Sequence, residues 1–81
     1  MNLGIDNSKI KSGKNLSSIT TVTFATPYPD ANYSVSLTPY VESVSNSVPQ
    51  AWVIVDSLTP SSFMFNSVGA SGVFWTTYSM S

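Results

Sequence analysis

Seven side chains carry every full charge this 81-residue chain has at neutral pH: Lys9, Lys11, Lys14, Asp6, Asp30, Glu42 and Asp56. Histidine, cysteine and arginine are missing altogether. A serine or threonine nucleophile needs a neighbouring base, and without imidazole only carboxylates and amines are left to act as one. With neither Cys nor His there is no structural zinc, and no cofactor is expected. A hydrolytic pairing of Asp56 with Glu42 would follow the glycosidase pattern, in which two carboxyls sit about 5 to 10 Å apart across a cleft. So small a domain rarely holds such a cleft, and the chain is expected not to be an enzyme. Asp56 and Asp30 each stand among turn-forming residues and read as caps that accept backbone N–H bonds.

Aromatic rings with a polar tip offer the other available chemistry. Tyr28 stands between Pro27 and Pro29, and Tyr40 opens a loop. At either position a sugar could stack its C–H face on the ring while its hydroxyls meet the phenol. Glu42, Asn46, Gln50 and Asn66 lie where they could add hydrogen-bonding groups, and with the two tyrosines they form the candidate ligand-binding set. Trp52, Ile54, Phe74, Trp75 and Tyr78 lie in predicted strands and are assigned to the interface between copies of the chain.

The elements that must position these groups follow from alternation. Val22 and Phe24 alternate with Thr21 and Thr23, and Tyr33, Val35 and Leu37 alternate with Ser34 and Ser36, so each segment has one apolar and one hydroxyl face. Pro27 and Pro29 cannot donate to a ladder, so the chain must turn before the second segment; the two are predicted to form an antiparallel pair. Residues 1–7 read as a polar lead-in. A short strand over Lys9–Lys11 is followed by a Ser12-Gly13 turn, and a second strand runs from Ser17 to Phe24. Tyr40 to Gln50 reads as a loop, Ser57 to Ser62 as a tight turn, and Ser67 to Gly72 as a further loop. Ala51 to Val55 is apolar on both faces, so it must be covered twice. Phe63 to Asn66 puts two phenylalanines on one face. Val73 to Met80 sets Val73, Trp75 and Thr77 against Phe74, Thr76, Tyr78 and Met80. Six strands and no helical period predict one all-β domain, a six-stranded antiparallel sandwich over residues 8–81.

Composition narrows the setting. Charged residues make up 9% of the chain, where a soluble domain has about 25%. Sixteen serines and eight threonines take over the polar role. Neutral hydroxyls are not screened as charges are, which suits an extracellular or virion surface exposed to variable salt. A net charge of −1 leaves no footprint for nucleic acid. No apolar run is long enough to span a membrane, and Met1-Asn2-Leu3-Gly4 lacks the features of a signal peptide. The chain is therefore expected to be made in a host cytoplasm and to leave it by lysis or within a particle.

Size points to self-association. The scaling laws put folded and unfolded surfaces near ~4,700 and ~12,600 Å², so folding hides about 7,900 Å². If about 60% of that is apolar, burial contributes ~118 kcal/mol, against ~120 kcal/mol of ordering entropy. The near-cancellation leaves a lone copy marginal. With no disulfide to help, contact with sister copies is the simplest remaining source of stability.

The order of landmarks resembles a known family. A Ser-Gly turn, Val-Thr-Phe with a Pro-Tyr-Pro corner, Asn-Tyr-Ser-Val-Ser-Leu, Val-Ile-Val-Asp-Ser-Leu-Thr, a Ser-Phe-x-Phe strand and a terminal Phe-Trp strand look like the C-terminal domains of bacteriophage tail fibres, which are similar to the H-type lectins. The match runs from about Ser8 to Met80. The resemblance implies a lectin-like, trimeric β-sandwich at the receptor-binding tip of a tail fibre, attaching the virion to a host surface carbohydrate or outer-membrane receptor. The acidic, basic and aromatic sugar site of the lectins has no full counterpart here, since Glu42 is the first acidic residue after the Tyr33–Leu37 strand and no arginine or histidine exists. Three alternatives stay open: a module that trimerises and registers the fibre, a separately made cap or chaperone of its end, and the hydrolase.

Overall fold

The computed structural model describes residues 2–44 and 48–81. Among them are seven strands and no helix: β1 (Asn2–Asp6), β2 (Ile10–Leu16), β3 (Thr21–Thr23), β4 (Tyr33–Tyr40), β5 (Gln50–Thr59), β6 (Ser62–Val68) and β7 (Gly72–Ser79). They form two antiparallel sheets. Sheet A has the order β1-β2-β7-β4 and sheet B the order β3-β6-β5.

The all-β, two-sheet expectation holds, with seven strands in place of six. The added strand is β1, where a polar lead-in was expected. It pairs along β2 from Asn2 opposite Lys14 to Asp6 opposite Lys11, with a register shift between Leu3 and Ile5. Ser12 and Gly13 lie in the middle of β2 rather than in a turn. Gly13 faces Trp75 across the ladder, and a strand glycine opposite so large a ring leaves room for it.

The strand expected over Ser17–Phe24 shrinks to three residues, and it does not pair with β4. β3 lies against β6 in sheet B, whereas β4 lies against β7 in sheet A. The Pro27-Tyr28-Pro29 corner therefore carries the chain from one sheet to the other. β5 runs on through Thr59, which confines the expected Ser57–Ser62 turn to Pro60 and Ser61. Its register shifts between Ile54 and Thr59. There the Ser57 hydroxyl accepts from the Met64 N–H at 2.7 Å and donates to the Ile54 carbonyl. Ser57 thus does what Asp56 was expected to do, and Asp56 makes no side-chain hydrogen bond among the described residues. Asp30 does cap its turn, accepting from the Asn32 N–H at 2.8 Å.

Alternation places the core between the sheets. Val22, Phe24, Phe63 and Phe65 come from sheet B and the segment after β3; Tyr33, Val73 and Trp75 come from sheet A, and Tyr28 from the corner. Phe24 is the hub, with ring centroids 5.4 Å from Tyr28, 5.6 Å from Tyr33 and 5.9 Å from Trp75. The first two contacts are edge-to-face, the arrangement that ring quadrupoles favour. The polar tips of the core rings Tyr28, Tyr33 and Trp75 have partners. The Tyr33 hydroxyl lies 2.8 Å from both the Thr59 and Ser62 carbonyls. Its pKa is pushed up to about 12, first by burial and then by the neighbouring Tyr28. The Trp75 indole donates to Asn15 Oδ1, and Asn15 donates to the Ile19 carbonyl.

Lys11 is the one charged side chain drawn into this interior. It is 1% exposed, and its ammonium lies 4.9 Å from the centre of the Tyr28 ring and 5.7 Å from that of Phe24. A buried ammonium must be paired. Asp6 of β1 supplies the carboxylate, and the Asn7 carbonyl accepts a second bond. The whole chain exposes 4740 Å², the area a compact monomer of its mass shows at about 4,700 Å². What is unusual is the kind of side chain on that surface.

Candidate functional site

The outer face of sheet A is set by register. Side chains on one face recur every second residue, so β7 sends Phe74, Thr76 and Tyr78 outward. Phe74 stands between Lys14 of β2 and Thr38 of β4, Thr76 between Ser12 and Ser36, and Tyr78 between Ile10 and Ser34. Phe74 and Tyr78 are 49% and 52% exposed. Two aromatic rings therefore flank a row of three hydroxyls, on strands about 4.8 Å apart.

At one end of this face Tyr40 lies over Gly72, its cross-strand partner. A β-carbon on Gly72 would overlap the Tyr40 hydroxyl and the Asn15 carbonyl oxygen, so only glycine lets the ring pack down onto the sheet. Tyr40 also packs on Phe74, centroid to centroid 4.9 Å. Lys14 sits above both, its ammonium 5.1 Å from the Tyr40 ring and 5.8 Å from the Phe74 ring. Lys14 is exposed, and among the described residues it has no carboxylate partner. The Tyr40 hydroxyl is buried and unbonded, the sole such side-chain atom among the described residues.

The loops at this end are tied together. The Ser71 N–H donates to the Tyr40 carbonyl at 2.8 Å, the Ser17 N–H to the Ser71 carbonyl, and the Glu42 N–H to the Ser71 hydroxyl. Gln50 opens β5 from the same end, opposite Val68. Tyr40, Glu42 and Gln50 are thus gathered at one end of the molecule. Asn66 stands apart on the outer face of sheet B, opposite Trp52, and Asn46 lies outside the described residues.

Tyr28 lies in the core, not on the surface where it was expected. It is 3% exposed, and its hydroxyl lies 2.7 Å from Thr77 Oγ1 in the core. The flanking prolines constrain its backbone but do not keep its ring outside. The assigned interface residues also fall in three places. Trp75 is 1% exposed and belongs to the core, out of reach of another copy. Phe74 and Tyr78 are on the outer face of sheet A. Trp52 and Ile54 lie on the outer face of sheet B beside Met64 and Val68, where Trp52 is 46% exposed.

Lys14, Thr38 and Thr76 also stand on this face and were not among the candidates the sequence offered. The available signal was the alternation of Ile10, Ser12, Lys14 and Leu16, which the supposed Ser12-Gly13 turn interrupted. Among the described residues no three His, Cys, Asp or Glu side chains come together as metal ligands, and no helix is long and apolar enough to cross a membrane. Compared with family models, curated proteins and solved structures, the chain gives no match.

Proposed function

We propose that this chain is the receptor-binding tip domain of a bacteriophage tail fibre, working as a homotrimer that attaches the virion to a host surface carbohydrate. The order of landmarks from Ser8 to Met80 supports the fibre assignment. The observation that carries an attachment role is the pair of outer faces. Sheet A presents Phe74 and Tyr78 and sheet B presents Trp52, each about half exposed, on a chain with 9% charged residues. Exposed patches of that kind mark interaction surfaces.

The two faces suit different partners. Sheet B ends in β5, whose free edge runs ten residues with no charge before Asp56. The other free edges are interrupted or shorter: β4 carries Pro39, and β3 and β1 span three and five residues. A long apolar edge invites another chain, and the uncharged stretch 50–55 meets no repulsion from its own copy. A standard interface takes about 800 Å² from each partner, roughly one-sixth of the 4740 Å² available. Sister copies cover the Trp52 face in this reading. The hydroxyl-rich face of sheet A stays free for the receptor, and three copies give avidity to a weak site.

Light scattering at micromolar concentration tests the assembly, followed by competition for phage adsorption with added protein. The reading expects a particle of three chain masses, its reduction to monomer by Trp52→Asp, and protection of host cells by the wild type. A stable monomer overturns it. A trimer that leaves adsorption unchanged would point to a registering, capping or chaperone module of the fibre.

A further inference from the structure

We infer that the Lys14–Phe74–Tyr40 cluster on the outer face of sheet A is a binding site for a carboxylated sugar, a uronic-acid residue of an acidic glycan. This rests on the attachment reading and names the class of ligand. Lys9 donates to the Ser81 carbonyl at 2.7 Å, and Lys11 is buried against Asp6. Lys14 is exposed, lies over two rings, and has no carboxylate partner among the described residues. Its ammonium is drawn to the two rings, so it is partly positioned before a ligand arrives. A single cation suits a ligand with one negative charge per residue. A polyphosphate or nucleic acid would need many.

Its surroundings select a sugar among anions. Phe74 leaves half its surface open beside the ammonium, a platform for the C–H face of a pyranose. Thr38 lies on the far side of Phe74, and Ser12, Thr76 and Ser36 form the next row. Hydroxyls both donate and accept, as sugar hydroxyls do. Tyr78 stands two rows from Phe74, about 14 Å along β7, so a short oligosaccharide lying along the strand meets both rings. The carboxylate would take a charge-assisted hydrogen bond from Lys14 Nζ, and this contact would separate an acidic glycan from its neutral counterpart.

The test is an NMR titration of the full chain with trigalacturonate and with its methyl ester, in which each carboxylate is replaced by a neutral ester. We expect the acid to bind at least ten-fold more tightly, with shifts centred on Lys14, Phe74 and Thr76. Lys14→Gln should bring the acid down to the ester's affinity, and Phe74→Ala should weaken both; the dispersed amide spectrum of each variant verifies its fold. Equal affinity for acid and ester, shifts centred on another surface, or preference for the acid retained by Lys14→Gln would overturn the assignment. Adsorption competition separates this from the attachment reading. Protection by Lys14→Gln equal to wild type, with no acid preference in the titration, overturns the site alone. Acid preference without protection overturns the attachment reading and leaves the site.

Discussion

Two lysines three residues apart on β2 meet almost the same surroundings on opposite faces of the sheet. Lys11 lies 4.9 Å from a tyrosine ring and 5.7 Å from a phenylalanine ring; Lys14 lies 5.1 Å and 5.8 Å from another such pair. The inner ammonium is sealed from water and tied to Asp6 and Asn7. The outer one is exposed. Similar triads thus become structure in one place and a candidate site in the other, and what separates them is the carboxylate that β1 brings to the inner face. A cation over aromatic rings is unfinished until an anion arrives. Inside the sandwich the chain supplies the anion, and outside it a ligand would have to.

The sharpest way to break this comparison is to remove the inner anion. Asp6→Ala strands a buried ammonium, which costs about 3 to 5 kcal/mol. The lower end is expected because the Asp6 side chain is 22% exposed and water can take over in part. Lys14→Gln should change stability by less than about 1 kcal/mol, the worth of an exposed cation–π contact. Urea denaturation of both variants measures the contrast, and equal losses would show that burial does not divide the two clusters. Adding Lys11→Met to Asp6→Ala should recover most of the loss, because an apolar chain of similar volume leaves no stranded charge.

A smaller effect tests the outer cluster as packing. Gly72→Ala forces a methyl into the space held by the Tyr40 ring and the Asn15 carbonyl. Overpacking of that kind costs about 1 to 3 kcal/mol. The Tyr40 ring should lift, and Lys14 should lose its seat. A thermal melt within one degree of wild type, with unchanged Tyr40 ring resonances, would contradict the close approach.

The smallest effect concerns a carboxylate with no cation at all. Asp30 is held below its ordinary value of 3.8, first by the Ser81 hydroxyl and then by the Asn32 N–H. A depressed folded value means the clasp between Asp30 and Ser81 is present above the unfolded pKa and is lost as pH falls through the folded one. Its amide signals should titrate with a midpoint under 3.8, and Ser81→Ala should move that midpoint back up. A wild-type midpoint at or above 3.8 would remove the clasp.

Much of the architecture was legible along the chain. Val22, Phe24, Phe63, Phe65 and Trp75 alternate with hydroxyl or exposed residues, and that period suffices to say which side chains face inward. It does not say which strands lie side by side. The segments around Phe24 and Tyr33 look like a hairpin, yet the corner between them changes sheets, because the Pro60–Ser61 turn takes backbone bonds from Phe24 and Tyr28. Tyr28 seemed exposed because prolines surround it, although a constrained backbone can still aim a ring at the core. β1 looked like a tail because its partner, the middle of β2, was hidden by a Ser-Gly pair.

Composition by itself determined that this protein has no histidine or thiol chemistry to use and no electrostatic footprint for nucleic acid, since those limits follow from which atoms are present. Alternation likewise settled the two sides of β6 and β7. Only the tertiary structure decided that Lys11 would receive a carboxylate and Lys14 would not. That outcome depends on β1 folding back along β2 and on the register of β7 between β2 and β4, contacts between residues as far apart as Ile10 and Tyr78, and no local pattern specifies them.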